Sequence, residues 1–204
     1  MREILVIEIE TLDPYDIVLA FLYACGNANI TRIHVQKGLY IASKYIEKFN
    51  ESLEFKAYRM GPWSEEINDV IMQLIDNGDL TRDKILQLTE RGREKASNSW
   101  NKLDENDKKI LAKIADFVSK MSVDELLLYV YTVYGEHEKS DVIKSILKKR
   151  RSLAINIYLK GLVSLGLAAE MAGMSLPEFI DYMKKRGIKP YEAEEKDLEK
   201  VEKL

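Results

Sequence analysis

The stretch LVSLGLAAEMAGMSLPEFIDYMKKRGI, Leu162 to Ile188, decides how the chain is read, because its punctuation marks two short helices joined by a tight corner. Ser164 can cap free backbone amides, so a first helix starts after it and runs through Ala168, Ala169 and Ala172 to a turn at Gly173. A second helix opens on Ser175, Leu176, Pro177 and Glu178, a capping box with proline where its missing N–H costs nothing. Leu176, Phe179, Ile180 and Met183 fall at i, i+3, i+4 and i+7 and predict one apolar face, with Pro177, Asp181 and Lys184 opposite. Gly187 ends this helix and Pro190 prevents its resumption. Two short helices that cross steeply leave room only for alanine and glycine at their contact. That is the spacing of a helix-turn-helix, whose second helix can project into a DNA major groove. An ordinary helical hairpin with a structural or protein-binding role shares the spacing and stays open as the alternative.

Charge is distributed to match. Residues 148–190 hold nine Lys or Arg against three Asp or Glu, residues 1–147 hold 19 against 25, and residues 191–204 hold three against six. The basic charge therefore gathers on the helix-turn-helix although the whole chain is at −3. Lys148, Lys149, Arg150 and Arg151 either contact the DNA backbone beside the motif or form a solvated hinge. Ser175, Pro177, Asp181, Lys184 and Lys185 complete the expected DNA-binding set, and Lys184, Lys185 and the neighbouring Arg186 are suited to phosphate. Glu178 and Asp181 stand nearer the end that meets base edges and weigh against this assignment, although Glu178 has its capping role and a carboxylate can accept from cytosine.

Ahead of this motif, Leu5, Ile7 and Ile9 alternate with Val6, Glu8 and Glu10 as a short strand, and Asp13 with Pro14 opens a helix. Thr31 caps a long helix carrying Val35, Leu39, Ala42, Ile46 and Phe49. Leu53, Phe55 and Ala57 read as a strand, and Gly61 with Pro62 as a turn into a helix bearing Ile67, Val70, Ile71 and Leu74. Lys84 to Leu88 reads as a brief strand, and Thr89 caps a further helix. Two connecting helices begin near Asp104 and Ser122, and another at Ser140. Tyr129, Tyr131 and Tyr134 at helical spacing read as core. Glu65, Glu66, Asp69 and Asp76 place four carboxylates on the helix after Ser64, which would repel phosphates and assigns this half to protein contact or to a solvated face.

Several chemistries are excluded from the expectation. One cysteine, Cys25, cannot form an intramolecular disulfide, and with His34 and His137 it offers no spaced metal set. No nucleophile with its base and no phosphate loop stands at a recognised spacing, so no catalytic residue, metal or cofactor is expected. The N-terminus reads as neither signal peptide nor membrane span, and the expected compartment is cytoplasmic.

Two resemblances add to this. Leu159, Gly161, Ser164, Ala168, Ala169, Gly173, Met174, Ser175, Phe179, Gly187 and Ile188 resemble the core of a family of small prokaryotic helix-turn-helix proteins often described as antitoxins of PIN-domain toxins. That likeness covers about the last quarter of the chain and implies nucleic-acid binding, a toxin partner, or both. The run from Lys37 through Tyr58, Gly61, Pro62 and Ser64, within residues 15 to 96, resembles winged-helix regulators and the Panacea antitoxin domain. The fold expected is mainly α: a winged-helix-like N-terminal domain with few short strands over 1–100, a helical connector over 101–147, a helix-turn-helix domain over 148–190, and a charged tail over 191–204. The function expected is a DNA-binding transcriptional regulator, a homodimer on double-stranded DNA. The alternative is a protein-binding module, such as an antitoxin that docks a toxin through the acidic N-terminal domain.

Overall fold

The computed structural model describes residues 12–137 and 139–189, and is mainly helical with one small two-stranded sheet among them. The strand expected through Leu5, Ile7 and Ile9, Pro190 and the charged tail lie outside the described residues. The chain divides after Leu147 into two compact units.

The first unit is built around α1 (Pro14–Cys25), which Asp13 starts by accepting from the Tyr15 amide at 2.8 Å. Ile17 to Leu22 are all buried, so this helix has no polar stripe and needs neighbours on every side. They are α2 (Arg32–Ser43), α4 (Glu65–Asp76), α5 (Glu90–Asn101) and α6 (Glu105–Ser119). Cys25, at the end of α1, is buried, and burial pushes its thiol up to about 12. The segment expected as a connector is part of this same unit. Helix α6 packs on α1 and α2, and α7 (Val123–Tyr134) packs on α2, because Leu111, Ala115, Val118, Leu126 and Val130 have their apolar faces turned into the common core.

Three polar side chains buried on α2 fasten it to main-chain atoms elsewhere. Gln36 donates to the Ser64 carbonyl at 2.8 Å and accepts from the Ser64 amide at 2.9 Å. His34 accepts from the Thr31 amide at 3.1 Å, and its Nε2 lies 2.9 Å from the Met121 carbonyl, to which it donates as the neutral tautomer. Burial holds the His34 pKa below its ordinary value. Lys37 donates to the Pro62 carbonyl.

The long helix predicted from Thr31 to Phe49 is broken. Helix α2 ends at Ser43, Ile46 is extended at φ −117 and ψ 107, and α3 (Glu47–Ser52) restarts after it. The bend keeps both Ile46 and Phe49 in the core while Tyr45 faces water. Gly61 and Pro62 also differ from expectation. They belong to β2 (Gly61–Trp63), which pairs antiparallel with β1 (Lys56–Tyr58), Ala57 opposite Pro62, so the reversal falls at Arg59 and Met60. A two-stranded ribbon consists of edges alone, where a residue without an N–H can be accommodated. The strand predicted over Lys84 to Leu88 is reduced to isolated bridges, Ile30 to Leu86 and Leu80 to Leu88.

Thr89 and Gly92 show why the start of α5 needs its residues. The Thr89 hydroxyl accepts from the Gly92 amide at 3.2 Å and reaches the Gly78 carbonyl at 3.0 Å. A Cβ at Gly92 would stand 1.9 Å from the Asp79 carbonyl oxygen, so only glycine lets the helix approach this backbone. Asp79 itself is fully buried and answers Arg91 at 2.7 Å and Lys95 at 2.6 Å.

Gly92→Ala is expected to cost about 1–3 kcal/mol, since backbone must move to admit the methyl. Gly166→Ala, in open space, should be neutral or stabilising by about 0.5–1 kcal/mol. Urea titrations of the two variants check the contrast. A second expectation concerns Lys37, which is fully buried and whose pKa desolvation lowers from 10.5 to about 7, with Glu136 opposing the shift. The unfolded chain then binds this proton more tightly. Stability from Lys37 is fully present above pH 10.5 and is lost as pH falls towards about 7, a difference on the order of 4–5 kcal/mol. Lys37→Met should flatten the stability profile between these limits, measured by thermal melts across pH.

Candidate nucleic-acid interface

The second unit is formed by the part of α8 (Ile143–Leu159) from Lys148 onward, α9 (Leu165–Ala172) and α10 (Leu176–Lys184). Helix α8 begins at Ile143, not at Ser140, whose hydroxyl is buried against the Tyr131 hydroxyl at 2.8 Å in the first unit. The basic run does not interrupt α8, which continues through Leu153, Ala154 and Ile157 as buried residues.

Each start signal of the corner is made. Ser164 Oγ accepts from the Leu167 amide at 3.2 Å, and Glu178 accepts from the Ser175 amide at 2.8 Å and the Ser175 hydroxyl at 2.7 Å. These bonds hold the Glu178 carboxyl below the ordinary range, with Arg151 adding attraction. At the turn, Gly173 has φ +67, and its amide and that of Met174 return to the Glu170 and Ala169 carbonyls at 2.8 and 3.0 Å. Helices α9 and α10 pack on each other, and Ala168, Ala169, Met171, Ala172, Phe179 and Met183 are buried. Leu176 differs from expectation. It is 44% exposed, because a residue at the first position of a helix stands outside the first full turn of its buried face.

The side chains of the expected DNA-binding set have distinct environments. Arg150 is committed within the unit: its Nε donates to the Met171 carbonyl at 3.0 Å and its second nitrogen to the Glu170 carbonyl at 3.2 Å. A guanidinium is thus the C-terminal partner of α9, offsetting the negative end of that helix. A Cβ at Gly173 would stand 1.9 Å from that guanidinium, so glycine serves both the turn and the arginine. Lys148, Lys149 and Arg151 are exposed on α8. On α10, Ser175, Pro177, Asp181, Lys184 and the flanking Lys185 are exposed, and Asp181 pairs with Lys185 at 2.7 Å.

Sequence reasoning singled out Arg151 and Arg186 as basic residues suited to phosphate but missed Tyr182, the ring on which they meet. The Arg151 guanidinium carbon lies 5.6 Å from the Tyr182 ring centre and that of Arg186 3.7 Å, so the basic run of α8 and the basic end of α10 meet on one aromatic ring. The i, i+4 spacing of Tyr182 and Arg186 was visible in the sequence, but the approach of Arg151 to the same ring is a tertiary contact that spacing does not reveal. In the first unit the tyrosines are packed: Tyr129 meets Phe117 edge-on at 5.0 Å, and Tyr134 meets Tyr40 at 5.5 Å. On α4, Glu65, Glu66, Asp69 and Asp76 are exposed, with Asp76 paired to Arg82 at 2.7 Å. Among the described residues no three His, Cys, Asp or Glu side chains gather to hold a metal ion, and no helix is long and apolar enough to cross a membrane.

Residues 138–201 match the uncharacterised protein family UPF0175. A UPF0175 protein of Aeropyrum pernix is 32% identical over 62 residues, which cover 30% of this chain and 75% of that protein. No solved structure matches the chain.

Arg150→Met should leave the Met171 carbonyl without its partner and loosen α9 by about 1–3 kcal/mol. Amide hydrogen exchange checks this, with faster exchange expected across α9 and unchanged protection in α1.

Proposed function

Because the chain belongs, through residues 138–201, to the UPF0175 family, we propose that this segment is its functional part and that it binds double-stranded DNA as a transcriptional regulator. The observation that carries the reading is the α9–α10 corner. Its inner side is closed by alanines, Phe179 and Met183, while the outward side of α10 presents Pro177, Asp181, Lys184 and Lys185 to solvent. A second helix held in this way by a first is the arrangement that lets a helix enter the major groove. The net positive charge of residues 148–190 favours phosphate. Asp181 is neutralised by Lys185, which reduces the repulsion its carboxylate would bring. A homodimer follows from the habit of such motifs to read half-sites about 34 Å apart.

A second reading draws on the first unit. Exposed Glu65, Glu66 and Asp69 on α4 favour a basic protein partner over DNA, as in an antitoxin of a PIN-domain or other toxin. The order of α1, α2 and α4 with the single bridges at Ile30, Leu80, Leu86 and Leu88 supports a winged-helix-like ancestry for that unit. A cytoplasmic location accords with both readings.

Duplex binding across salt concentrations separates the two. A DNA binder loses affinity with a log–log slope of about −0.9 per phosphate neutralised. Replacing Lys148, Lys149, Lys184 and Lys185 together should flatten that slope. A protein that binds only a protein partner shows no duplex binding and captures a toxin encoded beside it.

A further inference from the structure

We propose that Arg151 and Arg186, braced on the ring of Tyr182, form a clamp for the phosphodiester backbone of duplex DNA at the edge of α10. This inference rests on the DNA-binding reading and names the backbone-holding part of that site.

The two arginines come from sequence positions 35 residues apart, yet both guanidinium groups address the same ring, at 5.6 and 3.7 Å. An aromatic face attracts a guanidinium through its plane and uses none of its N–H donors, so the donor edge stays available to an oxyanion. Stacking also removes part of the rotamer freedom that a long side chain loses on binding. Tyr182 is partly exposed. It stands on α10 between buried Phe179 and Met183 on one side and exposed Glu178 and Lys185 on the other, so the clamp flanks the outward face instead of occupying it. Backbone contacts in that position fix the register of an inserted helix. Arg150, next in sequence, is excluded by its bonds to the end of α9.

Glu178 makes the idea sharply testable. Its carboxylate is attracted electrostatically by Arg151 and so competes with an incoming phosphate, while its bonds to Ser175 serve the capping box. Glutamine serves that box equally well without the charge. Glu178→Gln is therefore expected to tighten DNA binding, roughly threefold to tenfold at low salt, where loss of a merely structural group would weaken it.

The experiment measures binding of the full chain to a random-sequence duplex of about 30 base pairs, long enough for two half-sites, by fluorescence anisotropy over a salt series. Arg151→Met and Arg186→Met should each lower the magnitude of the salt slope by about 0.9. Tyr182→Leu should weaken binding severalfold, and Tyr182→Phe, which keeps the ring, should bind as the parent does. Parental slopes in both arginine variants overturn the clamp and leave the DNA reading standing. A parent chain that binds no duplex in a salt-dependent way overturns both. Should the arginine variants fail to fold, the other substitutions decide: unchanged affinity in both Glu178→Gln and Tyr182→Leu overturns the clamp.

Discussion

The first unit depends on polar groups that α2 carries into its interior. Burying an amide, an imidazole and an ammonium without partners would cost several kcal/mol each. Gln36, His34 and Lys37 instead each meet a backbone atom of a different segment: Ser64 at the head of α4, Met121 before α7, and Pro62 in β2. Apolar contacts alone tolerate sliding, whereas these bonds have one register. They fix where the ribbon and the two later helices attach to α2, and removing one partner leaves a buried group unsatisfied.

Local signals were legible in the sequence and tertiary ones were not. The helix starts read at Asp13, Thr31, Ser64, Thr89, Asp104, Ser122, Ser164 and Ser175 reappear as caps, and the one read at Ser140 does not, since α8 begins at Ile143. The reason is range, since a cap is satisfied within three residues of itself. Periodicity was less decisive. The apolar spacing from Val35 to Phe49 fits one helix or two with a bend, and the sequence has no mark for where Ile46 turns extended. Gly61 with Pro62 carried a turn signal and became a strand because the reversal could be made one step earlier.

At the candidate site the same division holds. The corner, its glycine turn and its outward residues follow from the sequence. The separate destinations of Arg150 and Arg151 do not, because neighbouring residues on a helix point about 100° apart and only the packed partners say what each meets. One reaches carbonyls at the end of α9, the other an aromatic ring on α10. Formal charge counted along a segment therefore overstates what is offered to a ligand: part of it stabilises the corner, and part is matched by Asp181.

Cys25 gives the protein a natural reporter. Its sulfur is the sole thiol of the chain, shielded at the end of α1 with its ionisation suppressed. A thiol-reactive dye can label it only during excursions in which the helix end separates from its neighbours. The labelling rate thus records the opening of the first unit alone, and lets its cooperativity be followed while the other unit is perturbed by substitution or by a bound partner.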